Sequence, residues 1–290
     1  MVMFIRVGLL LHTMNNDSLV DLIESETNYL RARSKRSKRV LEAMRKVDRG
    51  AFLPDVPVEC FFFEPNIVKK LRDQLLSGST TNSKESTEEQ LVNLATGAVK
   101  LLINARTLTV SLRALAYNNI PLPIGYEQTC SQPSMVAFMC DELELQPGMK
   151  VLEVGTGCGY HAAIASELVS PGGKVVSIEI IPELHKFAKE NLIAYFGERE
   201  FHNRFKLICG DGSMGAPEEG PFDRIYLTAG VEQDRFKPEV LAEQLSYEGG
   251  MLLFPEAEGK LILQCYSSGK KVEEREFTGV RFVALKGENT

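Results

Sequence analysis

The sequence lacks the features that mark several common classes of protein. No C-x-x-C pair occurs among its six cysteines, which argues against a zinc site of the usual spacing, and we predict no metal. No G-x-S-x-G sequence occurs either, which disfavours a serine hydrolase. The apolar start, MVMFIRVGLLL, is shorter than the roughly twenty residues of a membrane span and contains Arg6, so we expect no membrane contact. We interpret it as a frayed end or an extra strand, with a weak targeting signal as the alternative.

An excess of positive charge is also missing. The 290 residues carry a net charge of −6, and the pI is near 5.5. This balance argues against a wide nucleic-acid-binding surface, so we expect no nucleic-acid partner. The basic run Arg31–Arg39 is interpreted as the solvated face of a helix. We expect a cytoplasmic monomer in which Cys140, Cys158, Cys209 and Cys265 are reduced, buried thiols.

The hydrophobic pattern divides the chain into three parts. Residues 1–55 are an N-terminal extension with helices, because apolar residues recur at helical spacing between residues 18 and 51. Residues 56–115 are an insertion that we predict to be partly disordered, since the polar run 77–86 buries too little apolar surface. Residues 116–290 are the core of the protein.

Within the core, short apolar strands alternate with helical stretches. The predicted strands are 150–155, 174–180, 205–212, 222–230, 250–256, 261–267 and 276–285. The predicted helices are 133–143, 160–169, 183–196 and 238–246, with a further one at 88–104 in the insertion. This alternation predicts an α/β fold, a doubly wound and mostly parallel sheet covered on both faces. The last two strands follow one another without a helix, so we expect the sheet to end in an antiparallel edge.

A glycine-rich turn follows the first strand of the core. Residues 150–160 read KVLEVGTGCGY, in which Gly155, Gly157 and Gly159 let the backbone turn sharply and approach a ligand closely. A dinucleotide fingerprint needs a glycine where this chain has Tyr160, so a pyrophosphate clamp is disfavoured. The turn, with Glu153 in the strand before it, fits a nucleoside that has a non-phosphate tail.

Two acidic residues stand at the ends of the next two strands. Glu179 is placed to accept hydrogen bonds from both hydroxyls of a ribose, and Asp211, followed by Gly212, is placed to accept from the exocyclic amine of adenine. Open α/β sheets bind ligands at the carboxyl ends of their strands, where these groups meet. The combination predicts S-adenosylmethionine as the cofactor, with its methionine end near the glycine turn.

At this point the chain resembles the protein-L-isoaspartate (D-aspartate) O-methyltransferases. The resemblance rests on RVLEAMRKVDRGAFLP (39–54), AYNNIPLPIGYEQTCSQPSMVAFM (116–139), VLEVGTGCGYHAAIASELV (151–169), KVVSIEIIPEL (174–184), GDGSMGAPEEGPFDRIYLTAG (210–230) and GVRFVAL (279–285). The glycine turn is common to many methyltransferases, whereas LPIGYEQTCSQP is much more specific. The resemblance implies a Rossmann-like, S-adenosylmethionine-dependent methyltransferase that repairs damaged proteins. Its partners would be proteins and peptides with L-isoaspartyl residues, whose free α-carboxylate it esterifies.

The resemblance also implies roles for particular residues. It makes Ser131 catalytic, with Thr129 beside it, and places the segment from Gln128 to Ser131 along the methionine end of the cofactor. The cofactor-contacting positions that it implies are Gln128, Glu153, Gly155, Gly157, Gly159, Glu179, Ile180, Asp211 and Gly212. This is chemically reasonable, because a carboxylate is already nucleophilic at neutral pH and hydroxyl groups can orient it. The alternative for Ser131 is a cap at the start of the helix that begins at Pro133.

Three features depart from the family pattern. The insertion 56–115 stands where related enzymes have a short connection, Glu127 places a negative charge next to the expected carboxylate site, and Ala229–Glu232 lacks the usual prolines. Two other functions therefore stay open at this point. One is a tRNA adenine methyltransferase, against which the acidic pI argues, and the other is a methyltransferase-like binding module without activity.

Overall fold

The computed structural model describes residues 15–27, 35–54, 57–59 and 109–290. The predicted N-terminal strand, the polar run 77–86, the helix 88–104 and Cys60 lie outside these residues. Contacts divide the chain into two units, one of residues 1–12 with 54–115 and the other of residues 13–53 with 116–290. The three-part division of the chain stays a prediction.

The larger unit contains the α-helices that the structure describes and the main sheet. Its helices are α1 (Asn16–Glu26), α2 (Lys35–Lys46), α3 (Pro133–Glu142), α4 (Tyr160–Val169), α5 (Pro182–Phe196), α6 (Glu198–Arg204) and α7 (Pro238–Ala242). The smaller unit, within its described residues, contains the antiparallel strands β1 (Pro57–Glu59) and β2 (Thr109–Ser111), and a short 3-10 helix (Leu112–Leu115). The remaining strands are β3 (Leu122–Gly125), β4 (Gln128–Cys130), β5 (Lys150–Val154), β6 (Lys174–Glu179), β7 (Phe205–Cys209), β8 (Arg224–Leu227), β9 (Gly250–Glu256), β10 (Lys260–Ser267) and β11 (Lys270–Thr278).

The main sheet has seven strands in the order β11-β10-β9-β8-β5-β6-β7. Neighbouring strands from β9 to β7 are parallel, and the pairs β9–β10 and β10–β11 are antiparallel. The doubly wound fold and its antiparallel edge are therefore confirmed. The chain runs outward through β6 and β7 and returns to the other side of β5 as β8, so the strand order reverses between β5 and β8. Ligands bind at such a reversal in open α/β sheets.

Burial explains why the central strands read as continuous apolar runs. A parallel sheet is covered on both faces, and residues 151–154 of β5 are all buried. The core around them includes Leu152, Val176, Ile225 and Leu252 from four adjacent strands. Each such side chain contributes about 1.5–3 kcal/mol when it leaves water.

The N-terminal helices belong to the same body as the sheet. The helix α2 packs against α1, α3 and α4. Its Arg39 donates to the backbone carbonyls of Leu145 (3.0 Å) and Leu168 (2.7 Å), and its Arg36 pairs with Asp141 at 3.3 Å. The basic run at residues 31–39 is thus partly used inside the fold, because its described arginines hold other segments rather than only facing solvent.

Several local predictions need correction. The last strand is β11, which ends at Thr278, so most of the predicted strand 276–285 is irregular apart from one bridge at Ala284. The N-cap of α3 is Gln132 rather than Ser131, and no side chain caps that helix. The thiol of Cys209 is exposed, because it lies in the last position of β7 beside the sheet's outer edge. The short helix α6 and the β3–β4 hairpin were not predicted.

Candidate active site

A cleft opens at the carboxyl ends of β5, β6 and β8. Of the predicted site residues, eight line it, namely Gln128, Thr129, Ser131, Gly155, Gly157, Glu179, Ile180 and Gly212. The structure therefore brings the glycine turn and the 128–131 segment to one cavity.

The floor of the cleft is the glycine turn after β5. Gly155 has φ +97°, and a Cβ atom there would lie 2.3 Å from Oγ1 of Thr228. The backbone N–H of Gly155 donates to the carbonyl of Ile178 at 2.8 Å, which ties the turn to β6. Only glycine fits this position, because both the backbone conformation and the space exclude a side chain.

Glu179 joins the turn to the end of β6. Its Oε2 accepts from the backbone N–H of Gly157 at 2.8 Å, and its Oε1 accepts from the N–H of Ile181 at 3.0 Å. Its side chain also lines the cleft while only 5 % of the residue is exposed. A carboxylate oxygen has two lone pairs, so each oxygen can accept one further bond from a ligand hydroxyl.

Glu153 lies behind the cleft wall rather than in it. The residue is fully buried, and its carboxyl accepts from Ser177 Oγ at 2.5 Å and from the Tyr226 hydroxyl at 3.2 Å. Burial raises the pKa of Glu153 to about 8. Ser177 also hydrogen-bonds Thr156 at 2.6 Å, and Thr156 lines the cleft. Glu153 thus supports the turn through Ser177.

The opposite wall of the cleft is the strand β4 and the residues after it. The hairpin of β3 and β4 turns at Tyr126 and Glu127, whose φ angles are +54° and +60°. Two positive φ values in a two-residue loop define a type I′ turn, which normally prefers asparagine and glycine. Glu127 is exposed at this tip and does not line the cleft. Gln128, Thr129 and Ser131 line it on the strand side of the turn.

Two buried cysteines also meet at the cleft. Cys130, at the end of β4, and Cys158, in the glycine turn, both line it. A hydrogen bond from Cys158, together with the nearby Arg49 guanidinium, holds the pKa of the Cys130 thiol below its usual range. The same pairing and burial raise the pKa of Cys158. The predicted burial of Cys158 is confirmed, and its polar neighbour was not foreseen.

Asp211 is held by two backbone N–H groups, and its bond to adenine stays a prediction. Its carboxylate accepts from the backbone N–H groups of Ser213 and Glu288, each at 2.8 Å, and these bonds lower its pKa although burial opposes them. Asp211 does not line the cleft, whereas residues 283–286, which precede Glu288, do. Asp211 therefore anchors a segment that forms one side of the cleft. Gly159, the N-cap of α4, lies outside the cleft as well.

Sequence reasoning missed several lining residues, which are Thr156, Tyr160, His161, Thr228 and the 283–286 segment. Burial lowers the pKa of His161 to about 3, so its ring is neutral at physiological pH. Its Nε2 lies 3.4 Å from Sγ of Cys140. Among the residues that the structure describes, no group of three metal-ligating side chains is present.

Residues 98–290 match the family model of the protein-L-isoaspartate (D-aspartate) O-methyltransferases. A curated protein-L-isoaspartate O-methyltransferase of Methanothrix thermoacetophila is 46% identical over 176 residues, which are 61% of this chain and 80% of that protein. Protein-L-isoaspartate O-methyltransferase 2 of Archaeoglobus fulgidus is 46% identical over 175 residues, covering 60% and 76% of the two chains.

Solved structures agree with the fold. A protein-L-isoaspartate O-methyltransferase superposes with a TM-score of 0.62 at 24% identity, over 94% of this chain and 67% of its own. A candidate protein-L-isoaspartate O-methyltransferase from Plasmodium falciparum, solved with S-adenosyl-L-homocysteine, gives 0.61 at 20% identity, over 94% and 98% of the two chains.

Proposed function

Because the chain belongs to the protein-L-isoaspartate (D-aspartate) O-methyltransferase family, we propose that it methylates the free α-carboxylate of L-isoaspartyl residues in damaged proteins. S-adenosylmethionine is the methyl donor. The observation that supports this most directly is the single cleft in which the glycine turn faces the 128–131 segment. One wall is suited to a nucleoside and the other carries hydroxyl groups suited to a carboxylate.

The residues of the cleft fit S-adenosylmethionine. Gly155 and Gly157 line the cleft without side chains, so the methionine end of the cofactor can approach the backbone closely there. Glu179 has lone pairs left for the ribose hydroxyls, while Ile180 and Gly212 provide a surface for the adenine. When it is bound, S-adenosylmethionine supplies an electrophilic methyl group on its sulfonium.

The acceptor side needs to position its substrate more than to activate it. A carboxylate is ionised at neutral pH, so no general base is required. Ser131 and Thr129 each offer a hydroxyl that can donate to one carboxylate oxygen while the other attacks. Holding the reacting atoms in line can contribute on the order of 7–11 kcal/mol to catalysis. The neutral ring of His161, which also lines the cleft, adds no competing charge there.

The decisive experiment is methyl transfer from labelled S-adenosylmethionine to an isoaspartyl peptide. We expect base-labile methyl esters on that peptide and none on the same peptide with a normal aspartate. Equal labelling of both peptides would contradict the proposed specificity. No transfer by a protein that binds S-adenosylhomocysteine would instead favour the binding module without activity.

We also propose that the protein acts as a monomer without a nucleic-acid partner. The net charge of −6 supports the second point, because nucleic-acid surfaces are basic. A gel-shift with tRNA tests the adenine methyltransferase alternative, and light scattering tests the monomer. The free thiols Cys130, Cys140 and Cys158 support a reducing, cytoplasmic location. None of the described helices is long and apolar enough to cross a membrane.

A further inference from the structure

One charged side chain with no assigned role lies completely inside the larger unit. Arg49 begins the short 3-10 helix Arg49–Phe52 after α2, and none of its surface is exposed. Burying a guanidinium is costly unless its N–H groups find acceptors. Among the residues that the structure describes, no carboxylate pairs with Arg49, so its acceptors must be of another kind.

The acceptors are backbone carbonyls on both sides of the β3–β4 hairpin. Before the hairpin, Nη1 donates to Ala116 and Asn118, each at 3.0 Å, and Nη2 donates to Ile120 at 2.9 Å. After the hairpin, Nη2 donates to Ser131 at 3.1 Å, with a longer contact of 3.5 Å to Cys130.

The guanidinium therefore bonds directly to the backbone of the expected catalytic residue. Both Cys130 and Ser131 line the cleft, and the carbonyl of Ser131 points at Arg49. The hydrogen bond from Arg49 to the Ser131 carbonyl fixes the orientation of that peptide plane. The orientation of the plane in turn limits the positions that the Ser131 hydroxyl can reach. Hydrogen bonds from a charged donor are roughly twice as strong as neutral ones.

Arg49 also contacts the side of the cleft that is formed by the glycine turn and the start of α4, which we call the cofactor wall. Its Cζ lies 5.9 Å from the ring centroid of Tyr160, the first residue of α4 after the glycine turn. A cation over an aromatic face is attracted within about 6 Å. One side chain thus touches the element behind the methyl donor and the element that carries the hydroxyls.

We propose that Arg49 is a positioning residue that sets the Ser131 segment against the cofactor wall. The inference rests on the proposed function, since it assigns Arg49 a part in the same reaction. Methyl transfer is sensitive to displacements of about 1 Å, so loosening this segment should reduce turnover far more than cofactor binding. Lysine cannot replace the planar fork, because its ammonium has three donors at one point.

A matched control exists in the same N-terminal region. Arg39 also donates to two backbone carbonyls, those of Leu145 and Leu168, and neither residue lines the cleft. Arg39→Met should therefore lose stability without moving the acceptor segment. The variants to compare are Arg49→Met, Arg49→Lys and Arg39→Met in the full chain.

The first readout does not depend on activity. Hydrogen exchange followed by mass spectrometry reports on peptides that cover residues 122–135. In Arg49→Met we expect at least tenfold faster exchange in these peptides than in wild type, and in Arg39→Met no change there. Unchanged exchange in both Arg49 variants would overturn the proposal, even if the wild-type protein proved to act on another substrate.

The second readout is kinetic. We expect Arg49→Met to lower kcat on an isoaspartyl peptide at least 100-fold and to change the Kd of S-adenosylhomocysteine by less than threefold. Arg49→Lys, which retains one charge, should fold and fall between wild type and Arg49→Met. Losses of kcat that merely follow the fall in Tm, as in Arg39→Met, would overturn the proposal. Failure of the wild-type protein to esterify the peptide would contradict the proposed function instead, and the exchange result would still decide on Arg49.

Discussion

The two walls of the cleft are held in different ways. The cofactor wall is built on the central sheet, where the turn at Gly155 hydrogen-bonds to the neighbouring strand, and Glu179 accepts from the backbone N–H of Gly157 in the turn and from that of Ile181 after β6. The acceptor wall is a two-stranded hairpin outside that sheet, and the buried Arg49 bonds to carbonyls on both its flanks. One wall is thus fixed by close neighbours along adjacent strands, and the other by a contact from more than 60 residues away.

The difference teaches which changes should affect binding and which should affect turnover. Alterations of the cofactor wall should first weaken cofactor binding. Alterations of the acceptor wall should leave cofactor binding unchanged and misplace the carboxylate of the substrate. Each wall can be tested by a substitution whose expected effect belongs to that wall alone.

The largest effect is expected at Gly155. In Gly155→Ala the new Cβ would lie 2.3 Å from Oγ1 of Thr228, and the φ of +97° is strained for alanine. We expect the affinity for S-adenosylhomocysteine to fall at least 100-fold by calorimetry, with a lower Tm. Gly148→Ala is the control, because Gly148 has φ +87° with no atom within 4 Å of its Cβ position. Similar losses in both variants would show that backbone strain, and not the clash in the cleft, is the cause.

The second largest effect is expected in the acceptor wall. Ser131→Ala removes a hydroxyl that lines the cleft but leaves the backbone bond to Arg49 in place. We expect kcat on an isoaspartyl peptide to fall about 10- to 1000-fold, with the Kd of S-adenosylhomocysteine changed less than threefold. Ser166→Ala in α4, where the buried hydroxyl has no partner, should keep full activity. A kcat that survives Ser131→Ala would remove Ser131 from the reaction and leave Thr129 as the remaining hydroxyl.

The same contrast explains what the sequence could predict. The individual strands, the antiparallel edge and the glycine turn each correspond to a local sequence pattern, so periodicity and glycine spacing predict them well. Glu179 sits where a strand ends, and its place in the cleft follows from that. The contacts of Arg49 and of Asp211 join segments far apart in the chain, and no spacing rule reports them. Arg49 stands between the apolar Val47 and Phe52, and this buried context was the one sequence signal for it.

A third effect is expected at Glu153, which supports the glycine turn of the cofactor wall through Ser177. Because burial raises the pKa of Glu153 to about 8, the folded protein holds a proton there that the unfolded chain loses near pH 4.5. This contribution to stability is complete below about pH 4.5 and is lost as the pH rises to about 8. For one titrating group, the free energy of unfolding falls by at most about 1.4 kcal/mol per pH unit.

Glu153→Gln should remove that slope. We expect the free energy of unfolding, measured with urea from pH 5.5 to 8.5, to fall less steeply with pH in the variant than in wild type. Glu190→Gln on α5 is the control, since 64% of that side chain is exposed and its loss should leave the slope unchanged. Parallel curves for wild type and Glu153→Gln would mean that Glu153 is ionised in the folded protein.

The smallest effect is expected at the tip of the hairpin. Glu127 has φ +60°, a conformation that destabilises the folded protein by roughly 1–2 kcal/mol for a residue with a Cβ. Glycine avoids this strain, but its greater freedom in the unfolded chain lowers stability by about 0.5–1 kcal/mol. Glu127→Gly should therefore stabilise the protein by up to about 1 kcal/mol in urea unfolding. Glu127→Ala, which removes the charge and keeps the strain, should not.

The charge of Glu127 gives this pair of variants a second use. The side chain is exposed and does not line the cleft, so its carboxylate is not expected to repel the carboxylate of the substrate. We expect the KM for an isoaspartyl peptide to change less than twofold in both variants at physiological ionic strength. A KM that falls equally in both would show that the tip approaches the bound peptide, and the hairpin would then select substrates by charge as well as hold Ser131 in place.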